Sequence, residues 1–197
     1  LAVYSGSLFA GTFNAATGGG VWASADGAAW AQVNADGFSR LANADVAALA
    51  AFDDRLYAVV TTAPASGRGG VDMWRCRACD GNDWESVGGA VGDSSLPQTA
   101  ALAVMGDSQF EFLYLALGNA AEGMQVWRTL DGLDWELFAS GGFGDHFNGG
   151  PASSAAIEVH DDRLYVASAN AANGGELWST DGSRPTGPNV PTPTSMA

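Results

Sequence analysis

An all-β chain of repeated, short-stranded units is predicted by three features of the sequence: its glycine and tryptophan content, its recurring Asp-Gly pairs, and a period near fifty residues. Of 197 residues, 27 are glycine and 7 are tryptophan, a composition of tight turns with large aromatic anchors. Asp-Gly pairs begin at Asp26, Asp80, Asp131 and Asp181, which lie 54, 51 and 50 residues apart. A tryptophan precedes each pair (Trp22, Trp74, Trp127, Trp178), and a second follows three of them (Trp30, Trp84, Trp135). Every tryptophan therefore sits at a repeat position.

Each unit reads as four strands. An apolar first strand (48–52, 101–105, 156–160) meets a polar turn such as Asp53-Asp54 or Asp161-Asp162. The second carries a Leu-Tyr pair: Leu56-Tyr57, Leu113-Tyr114, Leu164-Tyr165. A Gly/Asn/Ala loop leads to the third strand, which ends near the first tryptophan. The Asp-Gly turn then folds back into the fourth, because glycine supplies the positive φ that a tight hairpin needs. Strands this short leave no room for helical crossovers.

Four-stranded units at this period predict a β-propeller of about four blades, over residues 1–36, 46–87, 100–139 and 155–184. The fourth unit is incomplete, since Pro185 stands where the others carry their second tryptophan. Residues 185–197 read as a Pro/Thr-rich tail or linker. A blade left open would present an edge for pairing with a second copy.

Charge narrows the function. Twenty-two acidic residues face eight basic ones, giving a net charge of −14, and all eight cations are arginine. That surface repels nucleic-acid phosphates and anionic lipid. No apolar run approaches the roughly 20 residues of a spanning helix. Cys76 and Cys79 lie between Trp74 and Asp80, a span two residues longer than Trp22–Asp26 or Trp127–Asp131. A disulfide there would staple the hairpin tip, fitting an extracellular or cell-surface location. Zinc is disfavoured because no second cysteine pair exists.

No catalytic constellation stands out and no metal site is expected. Calcium is the one cofactor the acidic loops leave open, although residues 142–150 offer only Asp145 and Asn148. The repeat-equivalent arginines (Arg55 with Arg163, Arg75 with Arg128) read as surface charges or blade–blade pairs. His160, in a first strand, reads as a core residue. The tryptophans are expected to pack between blades, with Trp30, Trp84 and Trp135 the more exposed set. Asn14, Asn119 and Asn170 recur in the loops between second and third strands. Their amides suit turns; alternatively, amide and tryptophan face would together form a ring of shallow sugar sites.

Ser24-Ala-Asp-Gly-Ala-Ala-Trp30 and Thr129-Leu-Asp-Gly-Leu-Asp-Trp135 resemble the Asp-box, or bacterial neuraminidase repeat, found in propellers of sialidases and of non-catalytic secreted proteins. The match is to a variant, because glycine directly follows the aspartate; Cys79-Asp80-Gly81 and Thr180-Asp181-Gly182 are weaker copies. The resemblance implies that Asp26, Asp80, Asp131 and Asp181 are structural, accepting backbone N–H bonds inside the turn. The connectors Gly37-Phe38 and Gly142-Phe143-Gly144-Asp145-His146-Phe147-Asn148 are similar to loops that accompany this repeat, and bring no activity with them. The expectation is a non-catalytic extracellular recognition or adhesion propeller that binds a glycan or a surface protein. The alternatives are a sialidase-like glycoside hydrolase and a structural subunit of an extracellular assembly.

Overall fold

The computed structural model describes residues 1–62, 70–87, 97–106, 109–119, 123–149, 156–170 and 172–183. They form four antiparallel sheets, each a simple meander, the blades of a β-propeller. The chain divides into two compact units, Leu1–Ser94 and Ser95–Ala197, each with two blades. In the first unit, blade 1 is β1 (Ala2–Tyr4), β2 (Ser7–Gly11), β3 (Val21–Ser24) and β4 (Ala31–Gln32). Blade 2 is β5 (Asn43–Phe52), β6 (Arg55–Thr62), β7 (Val71–Cys76) and β8 (Glu85–Ser86). In the second unit, blade 3 is β9 (Pro97–Gly106), β10 (Glu111–Asn119), β11 (Gln125–Thr129) and β12 (Glu136–Ala139). Blade 4 holds β13 (Ala156–His160), β14 (Arg163–Ser168) and β15 (Glu176–Thr180), three strands among the described residues. The expected tail falls outside the described residues.

The turns follow from their residues. Ser5-Gly6, Asp53-Asp54 and Asp161-Asp162 all have positive φ at both positions. This is the mirror-image turn that matches strand twist, and aspartate enters that region more readily than most residues. At the other hairpins a side-chain oxygen organises the turn. Asp26 Oδ1 accepts from Ala28 N and Ala29 N, both at 2.9 Å, and from the Ser24 hydroxyl. Asp131 Oδ1 accepts from Leu133 N, Asp134 N and the Thr129 hydroxyl. Those backbone donors hold both carboxyls below the usual range. In blade 2 the two extra residues move this role. Asp80 accepts only Asn82 N, whereas Asp83 Oδ2 accepts Arg77 N and Ala78 N. Burial pushes the Asp83 carboxyl up, but the turn amides outweigh it and leave it lowered. Cys76 and Cys79 are disulfide-bonded at this tip.

Second strands carry the core. Leu56, Tyr57, Leu113, Tyr114 and Leu164 are all at most 1% exposed. Between blades the packing is aromatic. Phe38, from the connector after blade 1, stacks on Trp74 of blade 2 at 4.7 Å and meets Trp84 edge-on at 5.2 Å. Phe143, after blade 3, packs on Trp178 of blade 4 with its ring tilted and 5.4 Å away. Each such pair contributes about 0.5–1.5 kcal/mol beyond the area it buries.

The arginines pair mostly within blades: Arg55 and Arg75 with Glu85, Arg128 with Glu136. Arg128 also reaches across to the Gly182 carbonyl of blade 4. His160 corrects the expectation of a core residue. Its side chain is 76% exposed beside Asp161, because it ends β13 where the strand runs out into the turn.

Candidate carbohydrate-binding site

The loop after β2 crosses to the first strand of blade 2. Gly11 and Gly19 permit this approach: a Cβ on Gly11 would lie 2.5 Å from Val46 O, and one on Gly19 would lie 2.8 Å from Thr12 O. Asn14 N then donates to Ala44 O (2.8 Å) and Val46 N to Thr12 O (3.2 Å). These bonds flank an antiparallel bridge between Phe13 and Asp45. A pair flanked in this way is the closely spaced kind, which brings its two side chains together on one face.

The pair is chemically unusual. Phe13 is 67% exposed, a bare phenyl ring on the surface. Asp45 is half-buried, and burial alone raises its carboxyl pKa. Two register shifts, between Asn43 and Asp45 and between Val46 and Ala48, bracket it on β5. Such bulges re-aim a side chain away from the regular pleat. Two other carboxylates of the same unit are engaged: Asp72 by Arg40 (3.0 Å) and Asn43 (3.4 Å), and Asp36 by Gln32 (2.7 Å). An exposed phenyl ring thus stands beside a carboxyl whose pKa burial raises.

Of the residues expected from the sequence, Asn14 adjoins this pair. Asn14 is a turn-former, its Oδ1 accepting from Ala16 N and Thr17 N. Asn170 accepts from Ala172 N and Asn173 N and donates to Asp145 and Asn148. The side chain of Asn119 lies outside the described residues. Trp30 is 38% exposed, with its indole N–H directed at Gly27 O. Trp84 is half-buried, and its N–H donates to Val33 O of blade 1. Trp135 is half-buried against a shallow cleft of about 460 Å³, together with Phe112, Leu130 and Asp134.

The asparagines of blades 1 and 4 precede the third strand, whereas Trp30, Trp84 and Trp135 follow the hairpin at the strand's far end. Phe13 and Asp45 were not among the expected residues. The available signal is Asp45 itself, the only charge in the apolar run from Leu41 to Phe52. Among the described residues, no group of three or more His, Cys, Asp or Glu side chains gathers as a metal site.

No family model matches the chain, and neither does any curated protein. Solved structures do match. One is a GH43 endo-arabinanase from Bacillus licheniformis, with TM-score 0.58 and 14% identity over 91% of this chain and 69% of that one. Another is an exo-β-1,3-galactanase from Phanerochaete chrysosporium, with TM-score 0.58 and 11% identity over 92% and 46%. A third is the xyloglucan PUL GH43B of Bacteroides ovatus, with TM-score 0.52 and 17% identity over 94% and 39%. The chain spans less than half the length of the latter two. At these identities the likeness is one of fold: this chain shares the β-propeller of those proteins.

Proposed function

We propose that the chain is a carbohydrate-active propeller of the glycoside hydrolase type, in which a sugar lies over Phe13 with an oxygen at Asp45. The observation that carries this is the half-buried Asp45 carboxyl, its pKa raised by burial, beside the exposed Phe13 ring. A carboxyl whose pKa is raised by burial is the kind of group that serves as the general acid toward a glycosidic oxygen. Fold likeness to the endo-arabinanase and the galactanase supports the same substrate class by analogy.

The non-catalytic recognition reading shares this contact. It is favoured by one observation: Asp36 and Asp72 are tied to other side chains rather than free to act as the second carboxyl. The hairpin aspartates support the Asp-box-like reading of the repeat, with Asp83 substituting in blade 2. The disulfide supports an oxidising, extracellular setting.

The test incubates the chain with arabinan, xylan, xyloglucan, β-1,3-galacto-oligosaccharides and sialyllactose, following both binding and sugar release. Hydrolysis predicts release from one of them that Asp45→Asn slows by about 100-fold or more while binding persists. Binding without release, weakened by Phe13→Ala, identifies the recognition reading instead. Neither binding nor release across the panel would sink the proposal.

A further inference from the structure

A second cleft opens at the hairpin ends of blades 3 and 4, independent of the Phe13–Asp45 site. It has a volume of about 600 Å³ and is lined by Met105, Phe110, Phe112, Asp162, Asp181 and Ser183, within the size range of small-ligand sites. Gly182 lies in its wall, where a Cβ would come 2.7 Å from Met105 Cε and 3.3 Å from the Tyr114 hydroxyl. Glycine at this position, with φ +82°, keeps a side chain out of the cleft. Phe110 is 56% exposed. The two carboxylates come from separate turns, Asp162 before β14 and Asp181 after β15. No cation is among the described lining residues, although Arg128 bonds the Gly182 carbonyl in the wall (3.0 Å) from behind Phe112.

The same unit already holds a cation with these parts. The Arg128 guanidinium lies 4.4 Å from the centre of the Phe112 ring and 4.9 Å from that of Phe138, and bonds Glu136 at 2.6 Å. Phenyl face plus carboxylate is the chemistry that retains a guanidinium or ammonium group. The cleft sets out the same pieces with room for a ligand. The Ser183 hydroxyl and amide donate to Asp181 Oδ1 and, with the charge of Arg163, lower the pKa of that carboxyl.

We infer that this cleft is a recognition site for an organic cation, a guanidinium or ammonium group stacked on Phe110 and paired with Asp162 and Asp181. The group could be carried by a basic peptide segment or by an amino sugar, and the probes separate the two.

The test is calorimetric titration with L-arginine amide and with D-glucosamine, using D-glucose as the neutral control, at low and at high salt. The cations should bind saturably, glucose should not, and added salt should weaken binding. Phe110→Ala should weaken it by about 3- to 30-fold. Asp162→Asn should weaken it comparably, since asparagine tolerates the positive φ at that turn. Thermal melts confirm that both variants fold, and Asp45→Asn should leave this binding unchanged. Binding of arginine amide alone assigns the peptide source, and binding of glucosamine alone assigns the amino sugar. Equal binding of glucose, no saturable binding, or full affinity in both variants would overturn the site.

Discussion

The connector after blade 1 and the connector after blade 3 have the same backbone and different chemistry. In both, a glycine and a phenylalanine adopt left-handed angles: Gly37 and Phe38 at φ 56° and 55°, Gly142 and Phe143 at φ 58° and 61°. In both, the glycine N–H donates back to the preceding loop, Gly37 to Gly19 O and Gly142 to Met124 O. The closing asparagine carbonyl accepts from the same loop residue, Asn43 O from Gly19 N and Asn148 O from Met124 N. The carbonyl of Gly37 or Gly142 takes the N–H of the residue three further on, Arg40 or Asp145. Those last two residues are where the connectors part. Arg40 pairs with Asp72, whereas Asp145 accepts from Phe147 N, Asn170 and Asn173. Glycine, phenylalanine and asparagine set the path, and the residue at the exit sets what the path is tied to.

The largest effect should come from the shared phenyl rings. Phe38→Ala and Phe143→Ala should each cost about 3–5 kcal/mol in denaturant unfolding, as large-to-small core changes do. Phe38→Ala should cost the more, because Phe38 touches two indoles and Phe143 one. A small loss in either variant would break the equivalence.

The closing asparagines come next. Asn148 is fully buried and bonded to Gly142 O, Glu176 and Asn170. Asn148→Ala should cost about 2–3 kcal/mol, through the groups it leaves unpaired. Asn43 makes only a 3.4 Å contact with Asp72, and its Oδ1 has no partner among the described residues. Asn43→Ala should cost about 1 kcal/mol. Equal losses would mean that the two asparagines do the same work.

The exit residues should matter least. The Arg40 side chain is 61% exposed, so Arg40→Ala should change stability by less than about 1 kcal/mol, with even that reduced by salt. Asp145→Ala should lower the melting temperature more than Arg40→Ala does, since it removes three accepted bonds.

Acidity separates two kinds of carboxyl. Asp26, Asp131 and Asp145 are held below the usual range by donated hydrogen bonds. Their contribution to stability is complete above the ordinary carboxylate range and is lost as pH falls through their lowered values. Asp45 has the opposite sign. Its raised value leaves stability complete below the ordinary range and erodes it as pH rises through the raised one. Asp45→Asn should therefore raise the melting temperature at pH 7 and leave it unchanged near pH 3. No gain at pH 7 would contradict the burial of that carboxylate.

The blades were legible because their signals are local. Asp-Gly hairpins, Asp-Asp turns and Leu-Tyr strands each state their conformation within a few residues, and the period repeats them. The site was not, because the Phe13–Asp45 pair forms across thirty-two positions of sequence. It depends on two glycines that admit the loop and on bulges that no residue pattern announces. The asparagines and tryptophans stand out in the sequence by recurring; Asn14 and Asn170 organise turns, and Trp84 ties blade 2 to Val33 O. Asp83 shows the same limit: only the geometry of the inserted tip reveals that it, and not Asp80, gathers the turn amides.

The role of Asp45 is tested most directly by titrating its side-chain carboxyl with carbon-detected NMR, with and without the oligosaccharide that the panel selects. A pKa above the ordinary carboxylate range is expected, rising further when a sugar covers Phe13 and excludes water. A carboxyl that titrates in the ordinary range and ignores the sugar would contradict it.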